Sequence, residues 1–218
     1  MNKLSLSDIS VDTWVQNGPV DIASLVGSVV LIEVFQVNCP GCFIYSLPRA
    51  IQLHEAFHDK GLVVIGLATA FEDYDKNTIE NLQLLADTGE VIGETYKALS
   101  QHGLLVEDNK LQWRLPFAVG MDRVTPETEP VTDEKVLSYT RQFLPEFEKL
   151  LDEQKKAVLE QVKQYMGQKT MSAETFERFA LQGTPSCILF DREGQLRDVS
   201  FGQVEHKQAM VEQCLTET

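Results

Sequence analysis

The sequence predicts an α/β fold in which a central mixed sheet has helices on both faces. Two continuous apolar runs, 29–35 and 62–68, predict strands buried on both sides, because a strand with one exposed face alternates apolar and polar residues. Apolar residues at helical spacing across 43–59 predict a helix between them. A strand–helix–strand unit of this kind connects two parallel strands by a right-handed crossover.

The elements before this unit are short. Residues 12–16 alternate in polarity and end at the turn signal 17–19, which predicts an edge strand. Residues 22–27 predict a turn of helix that closes on glycine. Pro48 stands inside the helical stretch 43–59, so we expect a kink there.

The middle of the chain is predominantly helical. After the second buried strand, helices are predicted over 77–86 and 91–101, and a third strand over 117–121. Residues 124–131 are rich in Pro, Thr and Glu, which predicts a loop. Residues 132–135 can start a helix, and from Val136 to Met166 apolar residues recur at threes and fours among charges, with Pro145 as the expected break.

The tail of the chain predicts a hairpin closed by a helix. A short helix over 172–181 precedes it. Residues 187–190 form a predicted strand, Asp191-Arg192-Glu193-Gly194 a turn, and 196–201 the return strand. A last helix is predicted over 206–215.

The tetrapeptide Cys39-Pro40-Gly41-Cys42 stands between the first buried strand and the helix that follows it. Two cysteines with this spacing and context are typical of a dithiol redox site. The first turn of a helix has unpaired N–H groups and the positive end of the dipole, which favour an ionised sulfur. Because the thiolate is the species that attacks disulfides, Cys39 is the predicted nucleophile, and Cys42 lies close enough to form a disulfide with it.

A zinc site is the alternative use of two cysteines with this spacing. Such a site needs a second pair of ligands. The other two cysteines are isolated and the four histidines follow no matching pattern, so no metal ligand is predicted; these residues are Cys187, Cys214, His54, His58, His102 and His206.

Composition and charge limit the partners and the compartment. The formal net charge of −14 disfavours nucleic acid and anionic membranes as partners. No run of 18 apolar residues suggests a transmembrane helix, and the first residues have no apolar core of a signal peptide. Four cysteines in 218 residues form no disulfide scaffold. We therefore expect a cytoplasmic protein whose cysteine pair rests as the dithiol.

These residues resemble the thioredoxin superfamily, most closely the TlpA-like redoxins. The strand–Cys39-Pro40-Gly41-Cys42–helix unit is the first point of resemblance. Gly183-Thr184-Pro185-Ser186, just before a strand, is similar to the cis-proline loop of that superfamily. Residues 188–196 are similar to its last hairpin. The resemblance implies a thioredoxin-like fold, made of one domain over 1–218 with a helical insertion at 123–182 before the cis-proline loop.

The resemblance also implies roles for individual residues. Cys39 attacks and Cys42 resolves, while a cis bond before Pro185 places the Thr184 backbone beside the sulfurs, where a client's extended chain can pair with it. Pro40 and Gly41, between the cysteines, belong with Thr184 to the client-binding residues.

Glu33, six residues before Cys39, corresponds to a position that can hold a buried acid. Desolvation would raise the pKa of that acid and let it accept the proton of Cys42. The alternative for Glu33 is a strand-end carboxylate exposed to water.

The sequence departs from the family at several positions. Asn38 stands where an aromatic residue often precedes the first cysteine, which weakens the expected client groove. Gln36 stands where peroxiredoxins place a threonine, which disfavours a peroxidase. Cys187 is expected to be a buried structural thiol, with a redox role as the alternative, and Cys214 is expected to be partly exposed.

The predicted function is a thiol–disulfide oxidoreductase. It needs no cofactor, because the two sulfurs carry both electrons. Its partners are a disulfide-containing client protein or small thiol and an external reductant that regenerates the dithiol. Two alternatives remain: a peroxiredoxin-like peroxidase, and a redox-sensitive binding module that acts through the insertion 123–182. The apolar stripe of that insertion is buried either within the chain or in a homodimer.

Overall fold

The computed structural model describes residues 4–217 and divides the chain into two compact units. The larger unit contains the residues up to Val124 and those from Ala173 onward, and the smaller unit is Thr125–Ser172. Residues 173–182, which the sequence analysis included in the insertion, therefore group with the larger unit. The single-domain assignment itself stays a prediction.

Six of the ten strands in residues 4–217 form one sheet in the order β1-β6-β3-β2-β9-β10. Strand β2 runs parallel to β3, and β3 parallel to β6, while β1, β9 and β10 run antiparallel to their neighbours. The predicted mixed sheet is thus confirmed, with β1 at one edge. The strands are β1 (Val11–Gln16), β2 (Val29–Phe35), β3 (Leu62–Ala68), β4 (Leu105–Val106), β5 (Lys110–Leu111), β6 (Ala118–Asp122), β7 (Val124–Pro126), β8 (Met171–Ala173), β9 (Ser186–Phe190) and β10 (Leu196–Phe201).

Seven α-helices accompany the strands in the described residues. They are α1 (Leu47–Phe57), α2 (Ile79–Thr88), α3 (Gly93–Gln101), α4 (Asp133–Phe143), α5 (Asp152–Gln168), α6 (Glu174–Arg178) and α7 (Lys207–Thr216). Short 3₁₀ helices lie at Leu6–Asp8, Ile22–Leu25, His58–Lys60 and Phe147–Lys149, and a π-helix at Cys42–Ser46. Within residues 4–217, no helix combines the length and the apolar character needed to cross a bilayer.

The central strand β2 divides the core of the larger unit into two faces. Val29, Leu31 and Phe35 pack on the face covered by α1, and their neighbours Val30, Ile32 and Val34 pack on the other. All seven residues of β2 are buried, so neither face of the strand meets water. Burying a Val or Leu side chain stabilises the fold by roughly 1.5–3 kcal/mol, which explains why this strand is continuously apolar except for one residue, Glu33.

The helix after the cysteines starts differently from the prediction. A π-helix covers Cys42–Ser46, and the N–H of Leu47 donates to the carbonyl of Cys42, five residues back. Pro48 follows this π-helix directly, as the second residue of α1. The irregularity expected at Pro48 therefore lies just before it, in the turn that contains Cys42.

The smaller unit consists mainly of two helices. Thr132 caps α4 by accepting a hydrogen bond from the N–H of Lys135, at 3.2 Å. The helix ends before Pro145, as the sequence predicted. The loop predicted over 124–131 is wrong at its start, because its first residues form β7, which pairs with β8. The β4–β5 hairpin in the larger unit was also not predicted.

Candidate active site

Cys39 and Cys42 form a disulfide at the end of the segment that follows β2. Their Cα atoms are 5.4 Å apart. Cys42 is buried under the start of the helix, whereas Cys39 is only partly buried. Cys39 is therefore the sulfur of this pair that another molecule can reach.

The backbone around the pair favours charge on the Cys39 sulfur. The N–H of Cys42 is shared between Cys39 Sγ, at a nitrogen–sulfur distance of 3.3 Å, and the Cys39 carbonyl, at 3.0 Å. A donor in this position stabilises a thiolate more than a neutral thiol, so it favours ionisation once the disulfide is reduced. The carbonyl oxygen of Thr184 lies 3.6 Å from the same sulfur.

The cis-proline loop lies against the cysteine pair. The Thr184–Pro185 peptide bond is cis, which confirms the expectation from the resemblance. A Cβ added to Gly41 would lie 3.8 Å from Pro185 Cδ, so the segment between the cysteines is in contact range of the proline. The carbonyl of Pro185 accepts a hydrogen bond of 2.8 Å from the N–H of Gly202, which attaches the loop to the end of β10.

Glu33 is completely buried and forms an ion pair. Its Oε2 lies 2.9 Å from Nζ of Lys207, the first residue of α7, which is itself only 5% exposed. Burial alone would lower the pKa of Lys207, but the Glu33 carboxylate outweighs it and raises that pKa. The lysine is therefore the charged partner of Glu33. The second oxygen, Glu33 Oε1, has no hydrogen-bond partner among the described residues.

The ion pair with Lys207 revises what the sequence predicted for Glu33. The alternative of an exposed strand-end carboxylate is wrong, because the residue has no exposed surface. The buried position is as expected, but the acid is one half of an ion pair and not an isolated carboxyl group. Side chains on β2 alternate, so Glu33 lies on the face of Leu31 and Phe35, which is also the face of Cys42.

The other two cysteines are free and buried. Cys187 lies opposite Glu33 in the β2–β9 register, and burial raises its pKa to about 12. A thiol with that pKa is protonated and unreactive at neutral pH, which fits a structural role. Cys214 was expected to be partly exposed, and this is wrong, because it lies on the face of α7 that packs into the core.

Asn38, where the family often has an aromatic residue, is held by three hydrogen bonds. Its backbone N–H donates to Asn77 Oδ1 at 3.0 Å, and its side chain donates to Asp73 Oδ2 at 2.8 Å. Its Oδ1 accepts from the N–H of Glu94 at 2.7 Å, in the first turn of α3. The residue before Cys39 is therefore fixed by polar contacts and contributes no apolar surface.

Sequence reasoning missed Lys207 and these amide contacts. Lys207 is separated from Glu33 by 174 positions, and no local pattern connects them. One general signal was available: a buried carboxylate requires a cationic or hydrogen-bonding partner, so a lysine or arginine had to be sought elsewhere in the chain.

A cavity of about 420 Å³ lies beside the buried ion pair. It lies between the start of the active-site helix and the segment after β10. Lys207 belongs both to this cavity's lining and to the buried ion pair. The lining residues are Ile44, Tyr45, Ser46, Pro48, Arg49, Gln52, Gly202, Gln203, Val204, Glu205 and Lys207.

Comparison with known proteins gives a short sequence match and a complete structural one. No protein-family model matches the chain. Protein DipZ from Mycobacterium bovis and from Mycobacterium tuberculosis is 37% identical over 60 residues, or 28% of this chain. The match spans only 8% of DipZ.

The structural matches cover nearly the whole chain. A thiol-disulfide isomerase from Corynebacterium glutamicum is 26% identical with a TM-score of 0.61, and the match covers 100% of this chain and 99% of that one. A thioredoxin-like superfamily protein is 22% identical with a TM-score of 0.59, and covers 99% of this chain and 98% of its own; it supports the fold alone. With this fold, the Cys39–Cys42 disulfide and the cis-proline loop beside it, the chain belongs to the thioredoxin superfamily.

Proposed function

We propose that the protein is a thiol–disulfide oxidoreductase in which Cys39 attacks and Cys42 resolves. One observation carries the proposal: a partly exposed sulfur is disulfide-bonded to a buried one at the start of a helix, beside the cis Thr184–Pro185 bond. The Corynebacterium protein named a thiol-disulfide isomerase, which matches over the whole chain, supports the same reaction class.

In the reducing direction, the first step forms a bond between protein and client. The Cys39 thiolate attacks one sulfur of a client disulfide, the client S–S bond breaks, and the other client sulfur leaves as a thiolate. The N–H of Cys42 supports the thiolate before the attack, because it already points at Cys39 Sγ. The product is a mixed disulfide between Cys39 and the client.

The second step releases the client. Cys42 loses its proton and attacks the Cys39 sulfur, so the bond to the client breaks and its second sulfur leaves as a thiolate. Cys42 is buried and needs a proton acceptor inside the protein. We assign that role to Glu33, whose Oε1 has no hydrogen-bond partner among the described residues. Lys207 Nζ contacts the other carboxylate oxygen, Oε2, at 2.9 Å and leaves Oε1 for this role.

The client would bind along the cis-proline loop. In this proposal the backbone of Thr184 pairs with an extended client segment, and Pro40, Gly41 and Pro185 form the surface against which the reacting disulfide lies. The client is a protein or a small disulfide, and an external dithiol returns the pair to its reduced state. The reducing direction and a cytoplasmic location belong to the same proposal.

Cysteine variants test the mechanism directly. The pre-reduced Cys39→Ser protein should not reduce insulin, because no nucleophile remains. The Cys42→Ser protein should accumulate a covalent insulin adduct that dithiothreitol releases, because attack proceeds without resolution. Cys214→Ala, which removes a buried thiol elsewhere, is the matched control and should keep wild-type activity. Insulin reduction by Cys39→Ser at the wild-type rate would refute the mechanism.

The direction of electron flow needs a separate measurement. Equilibration of the Cys39–Cys42 pair with reduced and oxidised glutathione gives its reduction potential. A value near about −270 mV is that of a reductant and supports the proposed direction, whereas a value near about −120 mV is that of an oxidant and would reverse it.

A further inference from the structure

A line of hydrogen-bonded amides connects the cis-proline loop to the interior of the sheet. The hydroxyl of Thr184 donates to Gln36 Oε1 at 3.0 Å, and Gln36 Nε2 donates to the carbonyl of Glu72 at 3.3 Å. Gln36 is only 2% exposed. Both ends of its amide are therefore engaged inside the protein.

The same line continues to the residue before Cys39. Asn77 Nδ2 donates to the carbonyl of Glu72 at 3.0 Å, and Asn77 Oδ1 accepts from the N–H of Asn38 at 3.0 Å. Asn77 is 4% exposed. The Glu72 carbonyl thus accepts from two amides, one that holds Thr184 and one that holds Asn38. These four contacts link the two sides of the active site, the cysteine segment and the cis-proline loop.

The geometry points to Gln36 as a positioning residue for the exchange reaction: its buried amide sets where the Thr184 backbone stands relative to Cys39. This inference rests on the proposed function and adds a residue that acts through Thr184 and does not touch the client. It also gives a role to the glutamine that stands at the threonine position of peroxidases.

Burial makes this link restrictive. If the loop moved away from Gln36, the Thr184 hydroxyl and the glutamine oxygen would separate inside a region with little water. A buried polar group left unpaired costs about 1–3 kcal/mol, so the loop is held in one arrangement. An apolar side chain at position 36 could fill the same space. It would accept no hydrogen bond from the Thr184 hydroxyl, so it would not hold the loop in place.

The consequence depends on the kind of client. A protein disulfide lies in a chain that must pair with the Thr184 backbone, so its reaction requires the loop in place. A small disulfide has no such chain and needs only an accessible Cys39 thiolate. Loss of the Gln36 contact should therefore slow protein disulfides selectively, since small displacements of a reacting group reduce rates strongly.

Three variants test the inference: Gln36→Met, which keeps side-chain length without hydrogen bonds, Thr184→Val, which breaks the same bond from the loop side, and the double variant. Second-order rate constants of the pre-reduced proteins are measured with insulin and with DTNB, a small aromatic disulfide. We expect each single variant to lose roughly 10-fold or more with insulin but less than about 2-fold with DTNB. Because one contact is removed twice, the double variant should fall within about 2-fold of the slower single variant.

Gln16→Met is the matched control, since the Gln16 amide also bonds backbone carbonyls, those of Leu115 and Phe117, but far from the cysteines. It should keep both rates. Three results would each overturn the inference. In the first, the losses in rate constant multiply in the double variant. In the others, the rate constants with DTNB fall as much as those with insulin, or Thr184→Val reduces insulin at the wild-type rate. Thr184→Val decides the matter if Gln36→Met does not fold. A wild-type protein inactive on both disulfides would instead refute the proposed function, and the inference with it.

Discussion

Two carboxylates of the larger unit are completely buried, and they are treated in opposite ways. Asp122, at the end of β6, uses both oxygens: Oδ1 accepts from the N–H of Thr175, and Oδ2 accepts from the N–H of Phe176 and the hydroxyl of Thr69, at 2.9 to 3.2 Å. Glu33, in β2, uses one oxygen for the ion pair with Lys207, and its Oε1 has no partner within residues 4–217.

In the proposed mechanism, this difference in hydrogen-bond partners distinguishes Asp122, which supports the fold, from Glu33, which takes a proton. Asp122 caps the first turn of α6, and its oxygens are occupied by donors that do not leave. Glu33 has a single donor, Lys207, on Oε2, and its Oε1 has no hydrogen-bond partner among the described residues. Burial is common to both carboxylates and does not distinguish them. The number of fixed donors does, and our proposal gives the proton-accepting role to the carboxylate that has fewer.

The largest effect on stability is expected from removing the partner of Glu33. Lys207→Met leaves a buried carboxylate without its cation, and breaking a buried ion pair in this way costs about 3–5 kcal/mol. Urea unfolding followed by circular dichroism measures the change as a lower midpoint with an unchanged slope.

A second variant shows whether that loss comes from the stranded charge. Replacing both partners, Glu33→Leu with Lys207→Met, removes the charge along with the pair and should recover most of the lost stability, because well-packed apolar residues often substitute for a buried pair without cost. If the double variant were as unstable as Lys207→Met alone, packing of the lysine stem and not the charge would explain the loss.

Asp122→Ala should be the next most damaging substitution. It leaves the N–H groups of Thr175 and Phe176 and the Thr69 hydroxyl without their acceptor, which costs about 2–4 kcal/mol. Urea unfolding again measures it. The folded protein should reduce insulin within about 2-fold of wild type, so a large loss of activity at full folding would contradict the assignment of Asp122 to the fold.

Glu33→Gln should also lower stability, because it leaves the buried Lys207 without its carboxylate, but its distinctive effect is expected on the chemistry. An amide cannot take the proton of Cys42, so release of the client from the mixed disulfide should slow by roughly 10²-fold, while the attack by Cys39 keeps its rate. Acid quenching after the pre-reduced protein meets insulin measures the lifetime of the adduct. Asp122→Asn is the matched control and should leave that lifetime unchanged. Equal lifetimes in wild type and Glu33→Gln would exclude Glu33 as the proton acceptor.

A further difference concerns pH. Burial raises the pKa of Asp122, although the hydrogen bonds from Thr175, Phe176 and Thr69 oppose it. Between the unfolded pKa, about 3.9, and the higher folded pKa, the native state binds more protons than the unfolded state, so the free energy of unfolding falls as pH rises through this window. Asp122→Asn lacks this group. The stability of wild type relative to Asp122→Asn should therefore decrease as pH rises through the window and become constant above it.

Much of the fold and part of the candidate site could be predicted from the sequence, because they depend on local patterns. The buried strands, the helix after Cys42 and the final hairpin are each determined by local patterns of apolar residues, and the structure has them. The cysteine pair and the cis bond before Pro185 could be predicted because short motifs identify both positions.

Other parts depend on contacts that no local pattern encodes. Lys207 meets Glu33 only because α7 returns to the face of β2, and Gln36 meets Thr184 only because β9 pairs with β2. The π-helix at Cys42–Ser46 was missed for another reason: its hydrophobic spacing differs from that of an α-helix by one residue in a single turn. Similarly, the donors around Asp122 come from residues 53 and 54 positions away.

The smallest effect is expected from an exposed ion pair that matches the buried one in distance. Lys97 Nζ lies 2.7 Å from Glu94 Oε1, compared with 2.9 Å for Lys207 and Glu33, but both side chains are more than half exposed. Water already solvates these charges, so Lys97→Met should change the free energy of unfolding by no more than about 0.5 kcal/mol. The two Lys→Met variants, measured side by side in urea, therefore isolate what burial adds to the same substitution. Equal losses in the two would mean that burial of the Glu33 carboxylate does not determine the stability of the site.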